Sequence, residues 1–221
     1  MSTKNILLVE GEADRGFFEV LCRILGIAAD VRVAIPKDTD SGAHNTKQGV
    51  LSHLTAALLP QLQDGQLDRI GVVVDADRVA HGSGYPVTLQ RFADALAQAG
   101  YQLKPAAASG LIFSHQDGLA NLGLWIMPNN ADEGMLEDWI KACVHPAEAG
   151  LYQHGEASID SIPGGPKFQP WHRTKAEVAT WLAWQKKPEH GLYNAVQPDL
   201  LNTDEPLFKE LQAWLVDVFA P

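Results

Sequence analysis

Three short runs of almost unbroken aliphatic character, NILLVE (5–10), VRVAIP (31–36) and RIGVVVDAD (69–77), set the strongest limit on the fold. A strand that alternates polar with apolar leaves one face in water. Strands apolar at successive positions must be covered on both faces, the habit of parallel sheets layered between helices. The segments between the runs read as those helices. In ADRGFFEVLCRILG, residues Phe17, Val20, Leu21, Ile24 and Leu25 recur at the spacing of one helical face, and Gly26 supplies the stop. TKQGVLSHLTAALLPQL reads as a second helix, ended by the turn DGQ. A β-α-β-α-β order results, that of an open α/β sheet.

Further along, YPVTLQRFADALAQAGY predicts a helix with Pro86 in or near its first turn and Gly100 closing it. GLIFSH and LGLWIMP, parted by QDGLAN with its DG turn, predict two strands in a hairpin or joined by a short loop. EGMLEDWIKACV reads as a helix, and residues 151–172, with PGGP and little periodicity, as a loop. Lys175 to Gln185 is helical, with Trp181 and Trp184 on or near its apolar face, where tryptophans at helical spacing belong to the core; PLFKELQAWLVDVF is a last amphipathic helix. The expectation is an α/β domain over residues 1–150, a mostly parallel sheet of about four to five strands flanked by helices. The loop and helical C-terminal extension of residues 151–221 is expected to pack on that same domain.

Composition narrows the class. With 221 residues and 46% hydrophobic content the chain can bury one substantial core, which excludes a disordered or fibrous protein. No apolar run approaches the roughly 18 residues of a membrane-spanning helix, and MSTKNILLVEG has no cleavable secretory pattern, so no membrane partner and a cytoplasmic setting are expected. Cys22 and Cys143 fall inside helical patterns and read as small buried hydrophobes, while the eight histidines form no HExxH or Cys/His spacing. Zinc chemistry is not expected. The net charge of -10 argues against indiscriminate coating of nucleic acid. That charge is uneven: residues 165–190 hold Lys167, Arg173, Lys175, Lys186 and Lys187 against only Glu177 and Glu189.

The acids fall at chemically pointed positions. Open parallel sheets gather reactive groups at the carboxyl ends of their strands, where the order of connection reverses. Glu10 ends the first run; Asp75 and Asp77 end the third, on a shared side if the chain stays extended there. Neighbouring first and third strands would bring these three carboxylates together. Such a gathering opposes burial by mutual repulsion, and a divalent cation reverses the sign. Mg2+ takes hard oxygen ligands, often one or two carboxylates with several waters, leaving room for a phosphate. Asp14, in the first turn of the following helix, could reach back to the same place. Plainer readings stand beside these: a solvated loop acid for Glu10, an acid favoured by the helix dipole for Asp14, and turn chemistry for Asp75 and Asp77.

An acid after the first strand followed by Gly11, with Asp-x-Asp after the third, resembles the Toprim domain of topoisomerases, bacterial primases and a group of nucleases. The resemblance covers about residues 4–145 and implies a Rossmann-like sheet carrying a Mg2+- or Mn2+-dependent phosphoryl-transfer site. DADRVAHG lacks the further acid often found in the primase and topoisomerase branches. The pairing of Glu10 with Asp14 is closest to the nuclease-like branch typified by the OLD (overcoming lysogenization defect) family and to related small stand-alone prokaryotic proteins. That branch implies a later acid and a lysine: "IMPNNADEGMLEDW" offers Glu137, with Asp138 and Asp132 as rivals, and "HRTKAEVATWLAWQ" offers Lys175.

On this reading Glu10, Asp14, Asp75, Asp77 and Glu137 are metal ligands, Glu10 and Lys175 are catalytic, and Lys167, His172 and Arg173 hold the nucleic-acid backbone. Glu137 also reads as a surface acid early in a helix, and Lys175 as an exposed helix lysine or a plain phosphate contact. Trp171 could stack on bases. The function expected is hydrolysis of phosphodiesters in DNA or RNA by one or two ions. A second class is an effector or nucleic-acid-binding module that keeps the acidic pocket but acts only with a partner ATPase in trans, since the chain has no GxxxxGK[ST] loop. A third, a flavodoxin-like or receiver-like domain, is disfavoured by the Asp-x-Asp after strand three. A homo-oligomer is compatible with all three.

Overall fold

The computed structural model describes residues 4–34, 46–104, 110–188 and 191–219. Six strands form one mixed sheet: β1 (Asn5–Val9), β2 (Asp30–Val33), β3 (Arg69–Asp75), β4 (Tyr101–Leu103), β5 (Leu111–His115) and β6 (Leu122–Met127), in the spatial order β2-β1-β3-β6-β5-β4. The pairings β2-β1, β1-β3 and β3-β6 are parallel; β6-β5 and β5-β4 are antiparallel. The sheet thus has more strands than expected and an antiparallel flank. The added strand, β4, is a three-residue edge strand with only Tyr101 buried, too short to leave a periodic signal. The end of the VRVAIP run lies outside the described residues.

Helices cover both faces, as the unbroken apolar strands require. On one face Ile6, Leu8, Ile70, Val72 and Val74 pack beneath α2 (Lys47–His53), α3 (Leu59–Gln63) and α4 (Tyr85–Gln98). A π-helical turn, Leu54–Leu58, joins α2 to α3. It fits the position of Pro60, which has no N–H to continue the α-helical ladder; nearby, the Gln61 side-chain amide donates to the Ala57 carbonyl at 2.9 Å. On the opposite face Leu7, Val9 and Val73 pack with α1 (Glu12–Leu25), α5 (Leu136–Ala142), α6 (Ala149–Asp160), α7 (Arg173–Ala183) and α8 (Pro206–Phe219). Cys22 and Cys143 are free and buried, and burial pushes the Cys22 thiol up to about 12. Among the described residues no helix is long and apolar enough to cross a membrane.

Residues 151–160, read from sequence as part of a loop, belong to the helix α6. Gly150 and Gly155 and a thin apolar stripe hide it in the sequence. Gly155 is buried, with Thr180 and Trp184 of the α7 segment 3.7–3.8 Å from where a Cβ would stand, so its small size serves the packing of α6 on α7. Trp184 also departs from expectation. Trp181 is fully buried, whereas Trp184 caps α7 with 42% of its surface exposed and leans on His154.

Two further contacts fix the C-terminal half. Gly71 and Gly123 face one another across β3 and β6, making a bare patch on which α8 rests. A Cβ at Gly123 would lie 2.2 Å from Val218 Cγ2, and one at Gly71 would lie 3.0 Å from Phe219 Cζ. Glu177, only 2% exposed, accepts from Lys141 Nζ at 2.8 Å and Arg173 Nε at 2.6 Å; Lys141 also reaches Glu156, and Arg173 reaches Asp160. These pairs tie α5, α6 and α7 together. Burial alone would raise the Glu177 carboxyl, but the two cations prevail and hold it below its usual range.

Gly123→Val is expected to lower unfolding free energy by about 1–3 kcal/mol or more through overpacking, measured by urea denaturation. For Glu177→Gln the expected loss near neutral pH is about 1–3 kcal/mol. Because the folded carboxyl is depressed, its stabilisation is present above the unfolded value of 4.5 and is lost as pH falls through the folded one. Paired denaturation curves should therefore converge in acid.

Candidate active site

The connection from β1 runs to β2 on one side, and β3 then pairs on the other, so the chain direction switches between β1 and β3. A crevice opens at the carboxyl ends of strands at such a point. Glu10 stands directly after β1 and Asp75 closes β3. The Asp75 N–H donates to Glu10 Oε2 at 3.3 Å, and Asp75 Oδ1 accepts the Leu136 N–H at the start of α5 at 3.0 Å. Asp14 is the third residue of α1, and its Oδ2 accepts the Gly11 N–H at 2.8 Å. Asp14 thus caps α1 from its first turn, and the same carboxyl stands close enough for its charge to act on Asp75.

Asp77 reaches the crevice by a different route from the extended chain expected. Its φ is 59°, a left-handed turn that Asp adopts more readily than most residues. Its N–H donates to the Gly134 carbonyl at 2.9 Å, and its own carbonyl accepts the Gly134 N–H at 3.1 Å. This bridge clamps the end of β3 to the loop before α5. Lys47 Nζ lies 2.5 Å from Asp77 Oδ2 and donates to the Ala76 carbonyl at 3.1 Å and to Ser83 Oγ at 2.5 Å.

Glu137, 8% exposed in the first turn of α5, lies 3.7 Å from Lys175 Nζ at the start of α7. Its rivals are occupied elsewhere. Asp138 accepts the Met135 N–H and the Thr174 hydroxyl, capping α5 and tying it to α7, and Asp132 is exposed and accepts from Asn129. The crevice has a volume of about 350 Å³; Glu10, Asp75, Asp77 and Lys175 line it, and Trp171 and His172 stand at its edge. A larger hollow of about 600 Å³ lies between the α2–α3 segment and α4, but mostly neutral groups such as Gln48, Ser52, Thr55 and Gln98 line it. The charge is in the smaller one.

The acids sense one another. Burial, then Asp77, raises the Glu10 carboxyl to about 7, against a hydrogen bond from Asp75 and the charge of Lys47. Burial, then Glu137, raises Asp14 to about 6. Burial followed by the charges of Glu10, Asp14 and Glu137 holds Asp75 well above the ordinary carboxylate value, with Lys175 opposing. Burial would lower Lys175, but Glu137, Asp75, Asp14 and Asp77 together raise it. Five carboxylates thus share two nearby lysines.

Among the described residues, no group of three or more Asp, Glu, His or Cys side chains is placed to hold a metal ion together. Mg2+ asks for less, one or two carboxylates completed by water and phosphate oxygens. Hard oxygen donors, carboxyls whose charged form lacks a sufficient counter-charge, and an open crevice fit that requirement.

The basic residues of the same segment part company. His172 is at the crevice; Lys167 is exposed on the irregular stretch before Pro170 and does not line it; Arg173 is engaged by Asp160 and Glu177, which makes it a structural tie. Lys47 escaped sequence reasoning although a signal was present: a lysine in the first turn of a helix opposes the dipole, and an acid partner offsets that. Glu133 also escaped it. This exposed acid accepts from Arg78 and the Val79 N–H, holding the turn after Asp77.

A family model described as a protein of unknown function, DUF3226, matches residues 4–220, and the chain belongs to that family. No curated protein and no solved structure matches the chain.

The raised carboxyls give a signed pH dependence. Folded Glu10 and Asp14 hold protons that the unfolded chain releases near 4.5 and 3.8, so their contribution to stability falls as pH rises from there toward about 7 and 6 and then levels. In metal-free buffer Glu10→Gln should flatten that decline in thermal melting. Added Mg2+ should raise the parent's melting temperature more at about pH 8 than at about pH 5.5, because protons and cation compete for the same oxygens.

Proposed function

We propose that this protein is a divalent-cation-dependent phosphodiesterase acting on nucleic acid, with a Toprim-like catalytic sheet of the OLD nuclease type. One observation carries the reading: Glu10, Asp75, Asp77 and Lys175 line one crevice at the switch point, and Asp14 and Glu137 stand near enough for their charges to act on Asp75.

One or two carboxylates among Glu10, Asp75 and Asp77 would hold Mg2+ or Mn2+, with water and phosphate oxygens completing the set and Asp14 and Glu137 nearby. When bound, the cation supplies Lewis acidity toward a phosphate oxygen and an activated water. Glu10, at the end of β1 beside Asp75, is the residue we assign to accept the proton of the attacking water. The water oxygen bonds to phosphorus as the phosphorus–oxygen bond to the neighbouring sugar breaks, and the departing sugar oxygen keeps the bonding pair and takes a proton from solvent. Lys175, fixed on α7 by the ion pairs beneath it, opposes the charge that builds on the phosphoryl oxygens. Lys47 holds Asp77 in place. His172 supports a neighbouring phosphate at the edge. In OLD-type systems a Toprim domain works beside an ATPase, so a partner ATPase in trans is the corresponding proposal here. A cytoplasmic setting goes with the same reading.

Incubating the purified chain with DNA and RNA substrates, with Mg2+, Mn2+ or EDTA, tests the proposal. Metal-dependent cleavage by the parent is expected, with loss to background in Asp75→Ala and Glu10→Gln and a fall of about 10²–10³-fold in Lys175→Ala. An Asp75→Ala protein that cuts as fast as the parent would remove the reading.

A further inference from the structure

Four of the six tryptophans, Trp125, Trp139, Trp181 and Trp214, are buried in the core. Trp171 is not. It sits on the short turn Pro170–His172 with 39% of its surface exposed, and it lines the acidic crevice. The other exposed tryptophan, Trp184, packs on His154 and does not line that crevice.

The surroundings of Trp171 come from both sides of the cleft. His81, on the turn that follows Asp77, meets its ring at 4.7 Å and 79°, and His172 meets it at 5.9 Å and 69°. Both contacts are near perpendicular, so among the described residues no ring lies parallel to the indole. The rim is also joined by short stretches of chain to the acids and to Lys175. Asp77 precedes His81 by four residues, and Lys175 follows Trp171 by four. A base held on this rim therefore has its phosphate beside the reactive groups.

We propose that Trp171, with His81 and His172, forms a base-stacking rim that restricts the crevice to single-stranded nucleic acid. The inference rests on the phosphodiesterase reading and names its substrate class. Charge supports the choice. Duplex binding draws its affinity from many cation–phosphate contacts. This chain carries -10 overall, and at the crevice Lys47 is engaged by Asp77 and Arg78 by Glu133. With few phosphate contacts on offer, stacking is the remaining source of affinity, and it requires a base whose face is free. In a duplex those faces are covered by neighbouring base pairs.

The test uses the full chain with fluorescent oligothymidylate and oligouridylate of about 20 nucleotides, free or annealed to their complements, matching the scale of single-strand binding sites. Binding is read by anisotropy in EDTA, and cleavage is read with Mg2+. The parent is expected to prefer single strands in both assays. Trp171→Leu, which keeps apolar bulk without an aromatic face, should weaken single-strand binding about 10- to 100-fold with unchanged melting temperature, while Trp171→Phe stays near the parent. Equal handling of duplex and single strand, or parent-like binding by Trp171→Leu, overturns the inference while cleavage leaves the phosphodiesterase reading intact. If nothing is bound or cut, both fall.

Discussion

The parallel pairing of β1 with β3 governs this molecule. Ile6 to Val9 and Ile70 to Val74 are buried at every position, so neither strand can face water on either side. The pairing therefore requires helical cover above and below, and the chain supplies it from both ends of its length. It also requires that the first polar residue after each strand emerge at the same edge. Glu10 and Asp75 are those residues, and their hydrogen bond follows from the register of the strands behind them.

Repulsion is the cost of that convergence, and the surrounding structure is arranged to carry it. Backbone N–H groups address the acids individually: Gly11 for Asp14, Asp75 for Glu10, Leu136 for Asp75. Two lysines address them as a group, Lys47 from one face of the sheet and Lys175 from the other. These contacts leave the carboxyls raised, first by burial and then by one another's charge, so a cation that bound there would displace protons. A site that neutralised its acids fully would have less to offer a cation.

The C-terminal half positions the second lysine. Residues 149–219 bury α8 against Gly71 and Gly123 and lock α7 through Glu177, so Lys175 rides on a helix held by two ion pairs and a packed core. Arg173, which a charge count would assign to phosphate, is consumed in that bracing. The segment expected to be an extension therefore completes both the core and the candidate site.

The sequence by itself determined the buried parallel strands, the helix between each pair, the ends of α1 and α4 at glycine, and the placing of acids after β1 and β3, because each depends on local periodicity or on residues a few positions apart. It was silent on α6, whose glycines erase the stripe that burial against α7 makes unnecessary, and on β4, too short to show a period. Only the tertiary structure decided that Asp77 turns through a left-handed conformation onto Gly134, that Glu137 rather than Asp138 or Asp132 joins the acids, and that Lys47 is their counter-charge. Those outcomes depend on contacts between residues 30 to 61 positions apart or on competition among hydrogen-bond partners, and a local pattern can at most hint that a partner is needed without naming it.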